Sequence, residues 1–269
     1  MAVGLNARVA GLLMTSLAVS VSLHAEVIGL NANLDLVHRA SLENRRDAFA
    51  ILVDPYRKIP KASVVNQRPD YLRDPADWVE AITATVFWVG EQATENNPVP
   101  NHKSAWDQNW QANFGGFDDP RNRDGYWPRE FKPKLNPFYI ALPYNDVMSG
   151  GRHRPEASKV IPNFWEDYQG PGISVLKGRW VAVQANGRTA YAQWEDVGPF
   201  VVDHWQYVFG FERPKKNRNK QAGIDLSPAM RDFLKLRGGY GQVRWRFVEE
   251  EEVPQGPWSQ WVEKLPLPR

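Results

Sequence analysis

Between Arg179 and Phe200 the chain reads RWVAVQANGRTAYAQWEDVGPF, and this stretch leaves few folds open. Trp180 to Gln184 alternates between faces, as a half-buried strand does. Asn186-Gly187 is the strongest short hairpin signal, because a type I′ turn needs positive φ at both central residues. Arg188 to Glu195 is the expected return strand, and it ends at Asp196. Gly198 and Pro199 then stop the strand and force a tight turn. A carboxylate fixed where a strand stops and a turn opens sits at a rim, the usual place for a working group.

Further on, Gly223-Ile224-Asp225-Leu226-Ser227-Pro228-Ala229 reads as a strand entering a helix. Ser227 is placed as N-cap and Pro228 at the first helical position. Taken with Glu195-Asp196-Val197-Gly198-Pro199-Phe200, this pair of segments resembles the double-psi β-barrel family of rare lipoprotein A and the expansins. More distantly it resembles the MltA-type lytic transglycosylases. The resemblance covers roughly residues 83–247 and implies a six-stranded double-psi β-barrel, mainly β, with long loops and one short barrel helix. Asp196 is the candidate general acid; its neighbour Glu195 should point to the opposite face of the strand, so Asp225 is the better spatial partner. Relatives of rare lipoprotein A carry a His just before a Leu-Pro. Here Ile140-Ala141-Leu142-Pro143 aligns loosely with that zone and holds no His. Tyr144, Asp146 and His153 are the nearby residues able to substitute, although His153 reads first as an exposed loop residue. Trp106-Asp107 faintly resembles the Tyr-Trp-Asp of family-45 endoglucanases, which would make Asp107 a base. The alternative is that Asp107 is a loop carboxylate or helix cap.

The rest of the chain divides around that barrel. Residues 1–25 hold one charge, Arg8, ahead of an apolar run and read as a secretory signal peptide. This makes the expected location periplasmic or secreted, in a bacterium, with no membrane association after cleavage. Residues 26–82 form an N-terminal extension, with a helix expected near Ser41 to Leu52 and a short helical turn opening at Pro75. The barrel spans residues 83–248. Its first strand is expected at Thr83–Glu91, its second within Asn136–Asp146, a short one at Ile173–Leu176 and the closing one at Gln242–Val248. Residues 249–269 are a Pro/Trp-rich tail.

Composition excludes several function classes. No cysteine is present, so an exported chain of this kind is stabilised by core burial rather than disulfides. The formal net charge of +2 gives no nucleic-acid footprint. The basic run from Arg213 to Lys220 reads first as a solvated loop and second as a contact for an anionic polymer. Asp118, Asp119 and Asp124 match no metal-loop spacing and read as a surface turn. No cofactor and no metal are expected, and the chain is expected to be a monomer. The 12 Trp, 9 Tyr and 12 Phe fill small barrels well and also stack on sugar faces. Tyr139, Tyr144, Trp106 and Trp194 are the candidate substrate contacts.

Three functions fit these residues. The first is a glycan-cleaving enzyme of the cell wall, acting on peptidoglycan before other polymers as a lytic transglycosylase or glycosidase. Cleaving a glycosidic bond needs a proton for the leaving oxygen, and a second carboxylate near Asp196 would keep one available near neutral pH. The catalytic candidates are Asp196, Asp225, Asp146 and Asp107. The second is a non-catalytic, expansin-like module that binds or loosens wall polysaccharide. The third is an exported structural domain with a vestigial site. An Asp at such a turn also serves to hold backbone N–H groups, and that alternative stands for Asp225 above all.

Overall fold

The Asn-Gly hairpin forms where the sequence places it. Strands Trp180–Ala185 and Arg188–Val197 pair antiparallel, and Asn186 and Gly187 take φ of 50° and 71° between them. In the computed structural model, residues 68–94 and 97–260 are described. The leader, the expected helix at Ser41–Leu52 and the end of the tail lie outside those residues. The chain divides into two compact units, Met1–Val65 and Asn66–Arg269, and all that is described belongs to the second.

In chain order the elements are β1 (Val79–Val86), α1 (Trp110–Phe114), β2 (Arg123–Asp124), β3 (Trp127–Pro128), β4 (Tyr139–Leu142), α2 (Ala157–Val160), α3 (Phe164–Asp167), β5 (Trp180–Ala185), β6 (Arg188–Val197), α4 (Trp205–Val208), β7 (Ala222–Leu226), α5 (Pro228–Phe233) and β8 (Tyr240–Phe247). Six strands close a barrel in the order β1-β7-β4-β6-β5-β8, while β2 and β3 make a separate ladder. The fold is therefore mainly β, a closed six-stranded barrel with a few short helices. The pairs β1/β7 and β4/β6 are parallel and the other four are antiparallel. Parallel neighbours need crossover connections, and here these are the long loop excursions. Ser227 caps α5 as its sequence predicts, its hydroxyl accepting from the Met230 N–H at 3.2 Å, with Pro228 opening the helix.

Several boundaries differ from expectation, each for a tertiary reason. The first strand runs Val79–Val86 rather than Thr83–Glu91. Phe87 and Val89 leave the ladder and pack with Trp110, Phe114, Tyr139 and Ala141 in a second core outside the barrel. Ile173–Leu176 is not a strand, because the Ser174 hydroxyl accepts the N–H groups of Leu176 and Lys177 and folds the segment into a turn. Pro75 opens a single turn held by the Asp74 carboxylate and not a helix.

Alternation sorts the barrel strands into two faces. Ile140 and Leu142 join Trp194, Ile224 and Leu226 in the main core, whereas Tyr139 and Ala141 belong to the outer one. All four residues of β4 are buried, so both of its faces are covered.

Candidate functional site

The pairing of β4 with its two neighbours builds the site. Ala141 is opposite Asp225 of β7 on one side and opposite Asp196 of β6 on the other. Asp225 in turn is opposite Thr85 of β1. Four adjacent strands thus place Thr85, Asp225, Ala141 and Asp196 in one row on the outer face. Strand spacing puts the Asp225 and Asp196 Cα atoms roughly 10 Å apart, with Ala141 on the strand between them.

Asp196 reaches that face through a bulge. The register passes from Ile140/Trp194 to Ala141/Asp196, so Glu195 is an extra residue on β6. Without it Glu195 would stand opposite Ala141 and Asp196 would point into the barrel. A bulge of this kind re-aims a side chain. The displaced Glu195 lies 3.9 Å from Lys177, which is also 4.0 Å from Asp107.

The row forms part of the wall of a cleft of about 1110 Å³. Trp88 and Glu91, just beyond β1, line it as well, and so do Val99, Phe200 and Tyr240, which are strongly exposed at its lips. Each carboxyl has its own fixings. Asp196 Oδ1 accepts the Ala105 N–H at 2.8 Å, which ties the 101–109 loop to β6. Asp225 Oδ1 accepts the Thr85 hydroxyl. On the other side of Asp225, a Cβ built on Gly198 would stand 3.1 Å from its Oδ2, so the backbone at Gly198 lies against the carboxyl. Glu91 accepts the Asn101 side-chain amide at 3.0 Å, and the backbones of residues 90–91 and 101 bond reciprocally.

These surroundings raise the affinity of all three carboxyls for a proton. Burial pushes Asp196 up to about 6, against the pull of the Ala105 and Val197 N–H groups. Burial pushes Asp225 up to about 7; the Thr85 hydroxyl opposes this, and the charges of Asp196 and Glu91 add to it. Glu91 is also pushed up to about 7 by burial, against bonds from Asn97, Trp88 and Asn101. The negative form of Asp196 is held by two backbone donors, while Asp225 has one hydroxyl and a negative neighbour. The first proton of the pair therefore resides on Asp225.

Of the expected site residues, the structure brings only Asp196 and Asp225 together in the cleft. Tyr139 is fully buried, its hydroxyl donating to Asp118 at 2.8 Å and accepting the Val89 N–H at 3.0 Å. Tyr144 is buried against Phe209 and directed to Glu156. Trp194 is a core residue whose indole donates to the Asp196 carbonyl at 2.7 Å. Trp106 packs edge-on against Trp194 and donates to Asn145. None of these rings lines the cleft. Asp146 is also buried, accepting from the Ser174 hydroxyl and the Val175 N–H, with His153 Nδ1 at 3.2 Å. His153 is thus packed between Asp146, Phe164 and Tyr168 rather than exposed. Asp107 accepts from Asn109 and Asn113. Asp118 does not lie on a surface turn; it is fully buried and paired with Arg123. Among the described residues no three His, Cys, Asp or Glu side chains gather to hold a metal, and no helix is long and apolar enough to cross a membrane.

Glu91 and Trp88 are cleft residues that the sequence reading did not single out. The available signal was Gly90, which ends the β-branched run and turns the chain just where these two side chains leave the sheet.

No protein-family model matches the chain. No curated protein matches it either. Among solved structures, the Streptomyces papain inhibitor is similar over 65% of this chain and 96% of its own, at 17% sequence identity and a TM-score of 0.28. The architecture above rests on strand pairing and not on that likeness.

Proposed function

We propose that this protein is an exported enzyme that cleaves a cell-wall glycan, peptidoglycan in the first place. The observation that carries the reading is the placement of Asp225 and Asp196 on either side of Ala141 in an open cleft. Two carboxyls whose surroundings separate their proton affinities are the usual means of dividing acid and base roles. Asp225, protonated near neutrality, gives its proton to the glycosidic oxygen as the bond from that oxygen to the anomeric carbon breaks. Asp196, ionised above about pH 6, faces the positive charge developing on the sugar ring. It then accepts the proton of the hydroxyl that closes on the anomeric carbon. A hydroxyl of the same sugar gives an anhydro product, and water gives a reducing end. These roles are the reverse of the sequence expectation that Asp196 is the acid. Trp88 offers an apolar ring at the cleft wall for a sugar face.

The resemblance to rare lipoprotein A and the expansins supports the same reading. In those relatives a His on the second strand completes the site. Here the matching zone contributes Ala141, and the second ionisable group comes from Asp225 on β7. The bond from Ala105 to Asp196 favours a second reading, a non-catalytic wall-binding module in which Asp196 only anchors a loop.

Incubation of purified peptidoglycan with the wild type, Asp225→Asn and Asp196→Asn separates the two. Muropeptide release lost in both variants supports the enzyme, and mass spectrometry assigns anhydro or reducing ends. No release by the wild type, with the protein retained on the insoluble wall, overturns the enzyme in favour of the binding module.

A further inference from the structure

The lips of the cleft differ in charge from its floor. Among the described residues, the floor carries Asp196, Asp225 and Glu91, while the cleft-lining Lys and Arg side chains nearer the surface are Lys103 and Arg218. Arg218 belongs to the segment Arg213-Pro-Lys-Lys-Asn-Arg-Asn-Lys220, which contains five cations and no acid. This segment is built as an arm and is not a loose loop. Arg213 donates to the carbonyls of Glu80 and Ala81 on β1. Pro214 is buried. Asn217 bonds both Lys215 and Ala222, which closes the arm back onto β7.

The arm is also joined to the aromatic lip. The Arg218 guanidinium lies 5.4 Å from the centre of the Phe200 ring, and the Lys220 ammonium 5.0 Å from that of Tyr240. The Tyr240 hydroxyl donates to Asn219 Oδ1 at 3.2 Å. Phe200 and Tyr240 are 44% and 41% exposed, so cations are held at the edge of apolar surface that a ligand can cover. Among the described residues, Asp203 lies 3.5 Å from Lys215 of the arm, and Glu212 beside it faces His204. Lys216, Arg218 and Lys220 are all exposed; Arg218 lines the cleft, and Lys220 lies beside the lip residue Tyr240.

A neutral chitin-like strand has no use for such a lip. We propose that the 213–220 arm selects an anionic glycan, contacting a carboxylate carried by a sugar next to the bond over the Asp225–Asp196 floor. The proposal rests on the glycan-cleaving reading of that floor and adds the class of sugar it takes. Apolar ring faces with cations at their margin fit a pyranose bearing one carboxylate, since the ring covers the aromatic surface while the carboxylate meets Arg218 or Lys220. Two polymers share that chemistry, the lactyl-bearing strand of peptidoglycan and a polyuronate.

Three tetrasaccharides separate the possibilities: the neutral N-acetylglucosamine tetramer, the peptide-free tetramer alternating N-acetylglucosamine with N-acetylmuramic acid, and tetragalacturonate. Binding is measured by calorimetry in 20 mM and 300 mM NaCl. The full chain carries Asp225→Asn to keep the ligands intact, with or without Lys216→Gln, Arg218→Gln and Lys220→Gln together. Those three side chains are exposed, and near-UV circular dichroism checks that the fold persists. An exposed ion contact is worth roughly a two- to fivefold change in affinity. The expected result is a carboxylated ligand bound about tenfold more tightly than the neutral one, with that advantage lost in the triple variant and in high salt. The affinity of the neutral tetramer stays the same. Equal affinity for neutral and carboxylated ligands, or equal loss of both in the triple variant, overturns the proposal while the glycan reading stands. Binding of tetragalacturonate alone supports the proposal and removes peptidoglycan as the polymer. Binding of none of the three overturns both.

Discussion

Replacing Asp225 by Asn should change how stability depends on pH, and the size of the change follows from the site. An unfolded aspartate titrates near 3.8, and in the fold burial, together with the charges of Asp196 and Glu91, pushes Asp225 up to about 7. Between those values the folded protein holds a proton that the unfolded chain has released. Stability from this group is therefore complete below pH 3.8 and is lost as pH rises through 7. From pH 5 to pH 8.5 about two pH units of the difference disappear, roughly 3 kcal/mol at ~1.4 kcal/mol per unit. The carboxyl is partly open to the cleft, so water lowers that figure to about 1–2 kcal/mol. Asparagine keeps an oxygen for the Thr85 hydroxyl but cannot ionise. Urea unfolding at pH 5 and pH 8.5 should show the wild type losing about 1–2 kcal/mol more than Asp225→Asn across the interval. Equal losses in the two proteins would refute the argument that Asp225 is held protonated beside an ionised Asp196.

Three further perturbations test the parts that support this pair. Tyr139→Phe removes the hydroxyl between Val89 and buried Asp118 and should cost about 1–3 kcal/mol in urea unfolding. It should leave muropeptide release by the remaining folded protein unchanged, because Tyr139 lies outside the cleft. Ser227→Ala should cost about 1 kcal/mol, the worth of the cap on α5, by the same assay. Gly198→Ala places a methyl 3.1 Å from Asp225 Oδ2, so the carboxyl must shift. A carboxyl-carbon NMR titration should then show a changed Asp225 midpoint with that of Glu195 unmoved, and unfolding should register a loss of about 1 kcal/mol.

What the sequence made legible was local. The Asn186-Gly187 turn requires only two residues with positive φ, and the Ser227-Pro228 start of α5 requires one hydroxyl and one fixed φ. Both appear as read. The candidate acid pair was partly legible, since each Asp sits in a punctuated segment. The face each would occupy was not, because strand alternation counted along β6 puts Asp196 inside the barrel. The bulge at Glu195 is set by how β6 pairs with Ile140 and Ala141, a contact with a strand far away in the chain. The same distance hid Glu91 and Trp88, which reach the cleft only because β1 lies beside β7.

The aromatic residues taken for sugar contacts show the opposite effect. Tyr139, Tyr144 and Trp194 stand in or beside strands next to the acidic segments, and along the sequence they resemble a substrate groove. Tyr144 and Trp194 are taken up by the main core, and Tyr139 is buried by the excursion from residue 87 to residue 135, which has no period of its own and folds back as a second core. Tyr139 then meets Phe87, Trp110 and Phe114 edge-to-face at 5.3–5.9 Å. With the faces of β4 covered by the two cores, Ala141 is the small strand residue between two carboxyls, and the solvent-facing aromatics of the cleft come instead from Phe200 after Gly198-Pro199 and Tyr240 at the start of β8. A large side chain at position 141 would fill the space between the two carboxyls. The cleft thus depends on the outer core as much as on the barrel, since that core covers Tyr139 and leaves room beside it for a ligand.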